Sequence, residues 1–217
     1  MESTTPRASS AAVRQRILDG AALAFAELGF TAAGVDEIAR RAGVNKAMLY
    51  YHVGDKATLF REVVLGVVRA IKAELDAADA PGRGPAERLA GVPAAVARVA
   101  AEQPWFAQIM LRELAAGGVH LPTDVLVEIT GILAITRSAV ADGVRQGEFR
   151  DVNPLLVHLI LIGSLLFIAN ASRMRERLAR LQALPPNLPQ DLDAVARAVA
   201  DIVLHGVARR ERRKGRP

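Results

Sequence analysis

The sequence contains no cysteine, and aromatic residues make up only 4% of its 217 residues. The absence of cysteine excludes disulfide bonds and thiolate metal ligands. Because 51% of the residues are apolar but few are aromatic, a core must be built mainly from Ala, Val, Leu and Ile. The four histidines are far apart, and none has another at the i+3 or i+4 spacing of a helical metal site. We therefore expect no cofactor and no metal ion.

Signals for secretion, membrane insertion and catalysis are also lacking. The first residues are polar and contain no apolar stretch of the kind that a signal peptide needs. The most apolar run, residues 155–169, is shorter than the ~20 residues of a membrane span, so a buried helix is the better interpretation. No phosphate-binding loop, dinucleotide-binding glycine motif or nucleophile elbow is present. The sequence predicts a cytoplasmic protein that does not enter the membrane and is not an enzyme.

The net charge of +5 is confined to one end of the chain. Residues 209–217 hold six basic residues against Glu211, so residues 1–208 are formally neutral. The high isoelectric point therefore belongs to this basic segment and is no argument for nucleic-acid binding elsewhere. We interpret the segment as a solvated helix end, and a supplementary contact with phosphate or with a membrane surface is the alternative.

Apolar residues recur at helical spacing along the chain, and no stretch shows the alternation of a strand. The pattern predicts an all-α protein of about nine helices, with a three-helix helix-turn-helix head and a six-helix body. We expect a head at residues 10–56, a ligand-binding and dimerisation body at 57–211, and flexible tails at 1–9 and 212–217. The eighth helix is expected from Pro154 to about Leu181, and the ninth follows a proline-rich loop at 184–189.

Val35–Lys56 has the pattern of two short helices joined by a tight turn. Gly43 should end the first helix, and Asn45 should cap the second, in which Leu49 and Val53 lie four residues apart on one face. The opposite face then carries small, apolar, aromatic and basic side chains. A short helix with such an outer face suits the major groove of DNA.

This stretch resembles the DNA-binding motif of the TetR/AcrR-like transcriptional regulators, and the resemblance extends over about Arg14 to Phe60. The matching positions are Ile38-Ala39, Ala42-Gly43-Val44, Lys46, Leu49-Tyr50-Tyr51-His52, Lys56 and Leu59-Phe60. Four positions depart from the family pattern: Gly34 replaces a capping Thr, Ala47 and Met48 replace Gly and Thr, and Val53 replaces Phe. Changes at the start of the recognition helix bear on which operator is read rather than on whether DNA is bound.

The resemblance implies a homodimer that binds double-stranded DNA and responds to a small-molecule effector. The function we expect is that of a repressor on a palindromic operator, released by a small apolar effector. Base-edge contacts are assigned to Lys46, Ala47, Met48 and Tyr50, and phosphate contacts to Tyr51, His52 and Lys56. The alternatives are partial burial against the first helix for Tyr50, an additional base contact for Tyr51 and a helix-end hydrogen bond for His52.

The body offers two further features. The eighth helix is apolar nearly all round and must be covered on all sides, which together with the ninth helix predicts a two-fold four-helix interface. Bulky side chains around the sixth to eighth helices predict the wall of an apolar effector pocket, with core packing as the alternative for each. The candidate ligand-binding residues are Trp105, Phe106, Met110, Ile132 and Phe167.

Polar residues on these apolar helices are given local roles. Arg112 and Glu113 are expected to form an ion pair at the surface or at a helix end, and a buried pair that orients a ligand is the alternative. Thr130, Thr136 and Ser164 are expected to bond the backbone of their own helices.

Two other functions remain open at this point. A small-molecule or lipid carrier of the same fold could have lost specific DNA binding, and Gly34 and Met48 motivate this alternative. A membrane-surface protein could use the basic C-terminal segment.

Overall fold

The computed structural model describes residues 9–78, 82–171 and 191–209, together with residues 174, 177, 178, 180 and 181. Within residues 9–78, 82–171 and 191–209 the chain forms nine α-helices and no strand beyond one isolated bridge between Phe149 and Ala208. The helices are α1 (Ser10–Ala32), α2 (Val35–Ala42), α3 (Lys46–Val53), α4 (Lys56–Ala78), α5 (Pro85–Glu102), α6 (Trp105–Ala115), α7 (Thr123–Gln146), α8 (Pro154–Asn170) and α9 (Leu192–Val207). The predicted all-α fold is confirmed.

Several predictions lie outside the described residues or need correction. Residues 1–8, the proline-rich loop at 184–189 and the basic residues from 210 onward are among those not described. α8 ends at Asn170 and is therefore shorter than predicted, because Leu181 was the expected end. α1 contains a kink at Gly29, which adopts a φ of 79°, and continues beyond it to Ala32.

The helices of the head share one hydrophobic core with most of the body. Phe25 of α1 meets Phe60 of α4 edge to face, with 5.0 Å between ring centroids, and Phe30 packs on Phe60 at 5.1 Å. α4 then continues with buried residues as far as Leu75. Because apolar contacts run along the whole of α4, this helix connects the head mechanically to the body.

A second core holds α5, α7, α8 and α9 together at the far end of the body. It contains Leu89, Val140, Phe149, Leu161 and Val203 among others. The ring of Phe149 lies against the backbone of Gly143, where a Cβ atom would come within 2.1 Å of the ring. Only glycine fits this position of α7, and the close contact fixes the connection between α7 and α8.

Candidate nucleic-acid interface

The turn between α2 and α3 is built from two local signals. Gly43 ends α2 in the left-handed conformation with a φ of 64°, which glycine adopts without steric cost. Asn45 begins the next helix, since its side-chain oxygen accepts the N–H of Met48 at 2.8 Å. The backbone N–H of Val44 donates to the carbonyl of Ala39 at 3.0 Å and closes the turn between these caps. Both predicted caps are therefore found.

α3 directs one face into the protein and the other into solvent. Leu49 is fully buried and Val53 is buried, as their spacing predicted. Of the seven residues predicted to contact DNA, five are exposed and two are partly buried. The exposed ones are Lys46, Ala47, Met48, Tyr50 and Tyr51, and the partly buried ones are His52 and Lys56. Tyr51 projects furthest, with 86% of its surface accessible.

The two lysines of this set have partners within the protein. The ammonium group of Lys46 lies 3.1 Å from a carboxylate oxygen of Asp36, and this hydrogen bond raises the pKa of Lys46. The ammonium group of Lys56 donates to the carbonyl of Thr31 at 3.1 Å and lies 4.6 Å from the centroid of the Phe30 ring. Lys56 thus holds the start of α4 against the end of α1.

A network of ion pairs fastens α2 to α1. The guanidinium of Arg40 binds both carboxylate oxygens of Glu37, at 2.8 and 2.7 Å. Arg41 bridges Glu37 and Glu27, donating to them at 2.7 and 2.8 Å. The hydrogen bonds from Arg40 and then Arg41 lower the pKa of Glu37 to about 2. Because Glu27 belongs to α1, the network fixes the orientation of the helix-turn-helix on its supporting helix.

Arg112 and Glu113 do not form the predicted ion pair, and each contacts a different part of the molecule. Arg112 of α6 donates to the carbonyls of Ala26 at 2.9 Å and Glu27 at 2.8 Å. The kink at Gly29 leaves these carbonyls at the end of the regular part of α1, where helix carbonyls lack an intrahelical donor. Arg112 therefore joins the body to the head.

Glu113 is buried and bonds to the segment that follows α6. It accepts the backbone N–H of His120 at 3.3 Å and lies 3.0 Å from Nδ1 of the same residue. The His120 ring in turn stacks on Phe30 of the head, with 4.7 Å between ring centroids. No local pattern in the sequence indicates this second contact between head and body, since it depends on tertiary packing alone.

The structure places the five candidate ligand-binding residues in three different settings. Phe106, Met110 and Ile132 are buried in the main core. Trp105 is partly buried and lines a groove of about 500 Å³ against α1 and α4. Phe167 is exposed on the outer face of α8. Only the first three therefore belong to the same core, and the role of all five stays a prediction.

A buried polar contact between α7 and α8 was not predicted. Thr130 and Ser164 bond the carbonyls of their own helices as expected, at Val127 and Ile160. Thr136 instead lies 3.0 Å from Nδ1 of His158. Burial lowers the pKa of His158, because desolvation disfavours the protonated ring.

Metal-binding clusters and membrane-spanning helices are absent from the described part of the chain. Across these residues, no group of three or more His, Asp or Glu side chains has the arrangement of a metal site. Among the helices described, none combines the length and the apolar character needed to cross a membrane.

The fold and the exposed α3 define a helix-turn-helix DNA-binding protein with a helical body. The sequence profile of bacterial regulatory proteins of the tetR family matches residues 17–63. The HTH-type transcriptional repressor NicS of Pseudomonas putida is 28% identical over 209 residues, which cover 90% of this chain and 92% of NicS.

Solved structures show the same architecture. The TetR family transcriptional regulator PfmR from Thermus thermophilus is 28% identical with a TM-score of 0.64, over 89% of this chain and 100% of PfmR. The ketosteroid transcriptional regulator KstR2 of Mycobacterium tuberculosis has a TM-score of 0.66 over 91% of this chain and 95% of KstR2, and at 22% identity it supports the fold alone. These comparisons support a TetR-like transcriptional regulator, that is, a ligand-responsive DNA-binding protein.

Proposed function

We propose that this protein is a cytoplasmic repressor that binds a palindromic operator as a homodimer and is released by a small apolar effector. The observation that carries the proposal is the capped and outward-facing α3, which presents five of the seven predicted contact residues to solvent. NicS, a relative that matches over 90% of the chain, is by its name a repressor, which supports the same direction of regulation. The alternative function, a small-molecule or lipid carrier that has lost specific DNA binding, is not favoured.

Each predicted contact residue has a role that its chemistry supports. Lys46 and Tyr50 can donate to base acceptors, whereas Ala47 and Met48 can make only apolar contacts, for instance with the methyl group of thymine. Tyr51 and His52, at the end of α3, are assigned to phosphates. Lys56 is also assigned to phosphate, because its ammonium group uses only one of its three N–H donors on Thr31 and keeps two.

The dimer is proposed to form through α8 and α9. Large apolar side chains stand exposed along one side of α8, and Ile202 of α9 is exposed as well. Those of α8 are Leu155, Leu156, Leu159, Ile160 and Phe167. A contiguous apolar face of this kind indicates a protein interface. A two-fold contact would bury the same face on both protomers.

The effector is proposed to bind in the body, next to Phe106, Met110 and Ile132, and to change the placement of the heads. α4 connects head and body through a continuous core, and Arg112 and His120 add contacts with α1. An effector that favours a different arrangement of these elements would weaken DNA binding. Couplings of about 1–3 kcal/mol are typical and correspond to about 5- to 150-fold in affinity.

Selection of duplexes from a random pool by the purified dimer tests the DNA-binding part of this proposal. The selected duplexes should share a palindrome whose half-sites lie about 34–36 Å apart or at a multiple of that distance. Met48→Ala should reduce affinity for the selected duplex, whereas Leu114→Ala, an exposed apolar change on α6, should not. Enrichment of no common sequence would contradict the proposal.

The direction of regulation needs a separate measurement. A reporter gene placed behind the selected palindrome should be expressed less when the protein is present. Increased expression would show an activator and would leave the DNA-binding proposal intact.

A further inference from the structure

The cations of the head are almost all engaged within the protein. Residues 10–56 hold six basic and five acidic residues, so this segment is close to neutral. Within it, five of the six basic residues have partners: Arg14 with Glu62, Arg40 and Arg41 with Glu37, Lys46 with Asp36, and Lys56 with the carbonyl of Thr31. Free positive charge is therefore scarce on the surface that faces DNA.

The pair between Asp36 and Lys46 lies where this scarcity matters most. Asp36 is in the first turn of α2, and Lys46 is the first residue of α3. The ammonium group lies 3.1 Å from one carboxylate oxygen and 3.2 Å from the other, so the lysine reaches back across the turn. The Asp36 side chain is 81% exposed, and within the described residues Lys46 is its only ion-pair partner.

Non-specific binding of a protein to DNA comes almost entirely from cations that displace condensed counterions from phosphates. A lysine that is already paired with a carboxylate displaces few, because its charge is compensated before it meets the DNA. The same lysine keeps at least one N–H donor for a base acceptor such as O6 or N7 of guanine, and the carboxylate limits its conformations. Pairing therefore weakens contacts with random DNA more than it weakens a directed base contact.

We infer that Asp36 is a specificity-determining residue that holds Lys46 in position for base readout and withholds its charge from random phosphates. The inference rests on the proposed placement of α3 in the major groove. It assigns a role in discrimination to α2, a helix that contains none of the seven predicted contact residues.

The test is the salt dependence of binding to two duplexes, the selected palindrome and a scrambled duplex of equal length and composition. Asp36→Asn keeps the shape of the side chain but frees Lys46, so it should steepen the slope of log K against log salt on the scrambled duplex by about 0.9, the value for one phosphate contact. Between about 50 and 200 mM salt, this slope amounts to an additional loss of about 3.5-fold in affinity. On the palindrome the affinity at low salt should stay the same or fall. The ratio of the affinity for the palindrome to the affinity for the scrambled duplex should therefore decrease.

Two further variants separate the pair from a general effect of charge. Lys46→Ala should leave the scrambled-duplex slope unchanged in the wild-type background but should remove the additional slope in the Asp36→Asn background. Asp19→Asn is the matched control, because it removes one exposed negative charge of α1 whose carboxylate accepts the side-chain amide of Gln15. It should not change the slope.

The outcomes distinguish the inference from the proposed function. If the wild-type protein discriminates between the duplexes and Asp36→Asn leaves the slope unchanged, the inference alone is overturned. An equal change of slope in Asp19→Asn would also overturn it, because the effect would then come from net charge. If the wild-type protein does not discriminate between the duplexes at all, the proposed DNA recognition itself fails.

Discussion

The exposed face of α8 leads to a prediction whose size follows from the accessible surface. Leu159 and Ile160 are 53% and 55% exposed, so together they present about as much apolar surface as one fully exposed side chain. Complete burial of such a side chain contributes about 1.5–3 kcal/mol. A two-fold interface contains each residue twice, so replacing both with Ala should cost about 3–6 kcal/mol per dimer. The dissociation constant of the dimer should rise by a factor of about 10² to 10⁴.

Sedimentation equilibrium over a range of protein concentrations measures this constant directly. The control is the pair Leu114→Ala and Val119→Ala, because these side chains are 60% and 73% exposed but lie outside α8 and α9. The control variant should dimerise like the wild type. Circular dichroism and thermal unfolding verify that both double variants are folded.

Two results would refute the assignment of the interface. An unchanged dissociation constant in the α8 variant would place the dimer contact elsewhere. Equal weakening in the control variant would mean that general surface hydrophobicity, rather than this face, drives association. In the expected case, binding to a single half-site should persist, while the joint binding of two half-sites should be lost.

Two predictions concern the internal polar contacts of the body. Arg112→Met removes the donors to Ala26 and Glu27, and a hydrogen bond from a charged group contributes about 1.5–3 kcal/mol. Because Arg112 is exposed, the lower value of about 1.5 kcal/mol applies, which corresponds to about tenfold in an equilibrium constant. Amide hydrogen exchange at the end of α1 should therefore be about tenfold faster in the variant. Unchanged protection would contradict the contact between Arg112 and α1 as a stabilising link. His158→Gln tests the buried ring, whose lowered pKa means that the folded state binds fewer protons than the unfolded state. The wild type should therefore lose stability as the pH falls below about 6.5. Urea unfolding at pH 7 and pH 5 should show a smaller loss of stability in the variant. An equal loss would refute the role of the buried His158 ring in the pH dependence.

Features that depend on neighbouring residues could be predicted from the sequence. Gly43 and Asn45 mark the turn of the helix-turn-helix because left-handed backbone and side-chain capping act within a few residues. The inward face of α3 followed from the spacing of Leu49 and Val53 alone. The site residues of the head were accessible to sequence reasoning for the same reason, although their DNA contacts stay a prediction.

Contacts between distant segments could not be predicted. Arg112 bonds carbonyls that lie 86 and 85 positions away, and the carbonyls are available only because α1 kinks at Gly29. Thr136 meets His158 across the packing of α7 on α8. In both cases the sequence supplied a polar residue on a helix, and local bonding was the reasonable expectation until the packing of the helices was known.

In the proposed dimer, the near-neutral charge of each head makes the relative position of the two heads important for DNA binding. Residues 10–56 carry six basic and five acidic residues, and most of the cations are paired internally. One head alone would therefore gain little affinity from phosphates, and strong binding would require that both heads of the proposed dimer engage the operator together. Linked binding of this kind raises affinity by about 10²- to 10⁴-fold and is lost entirely when the geometry forbids simultaneous engagement. If the two heads moved out of this geometry, a strongly basic head would stay on DNA through its charge, whereas this head would be released. In the proposed mechanism, small movements at the contacts of Arg112 and His120 with α1 would thus control binding without any change in α3 itself.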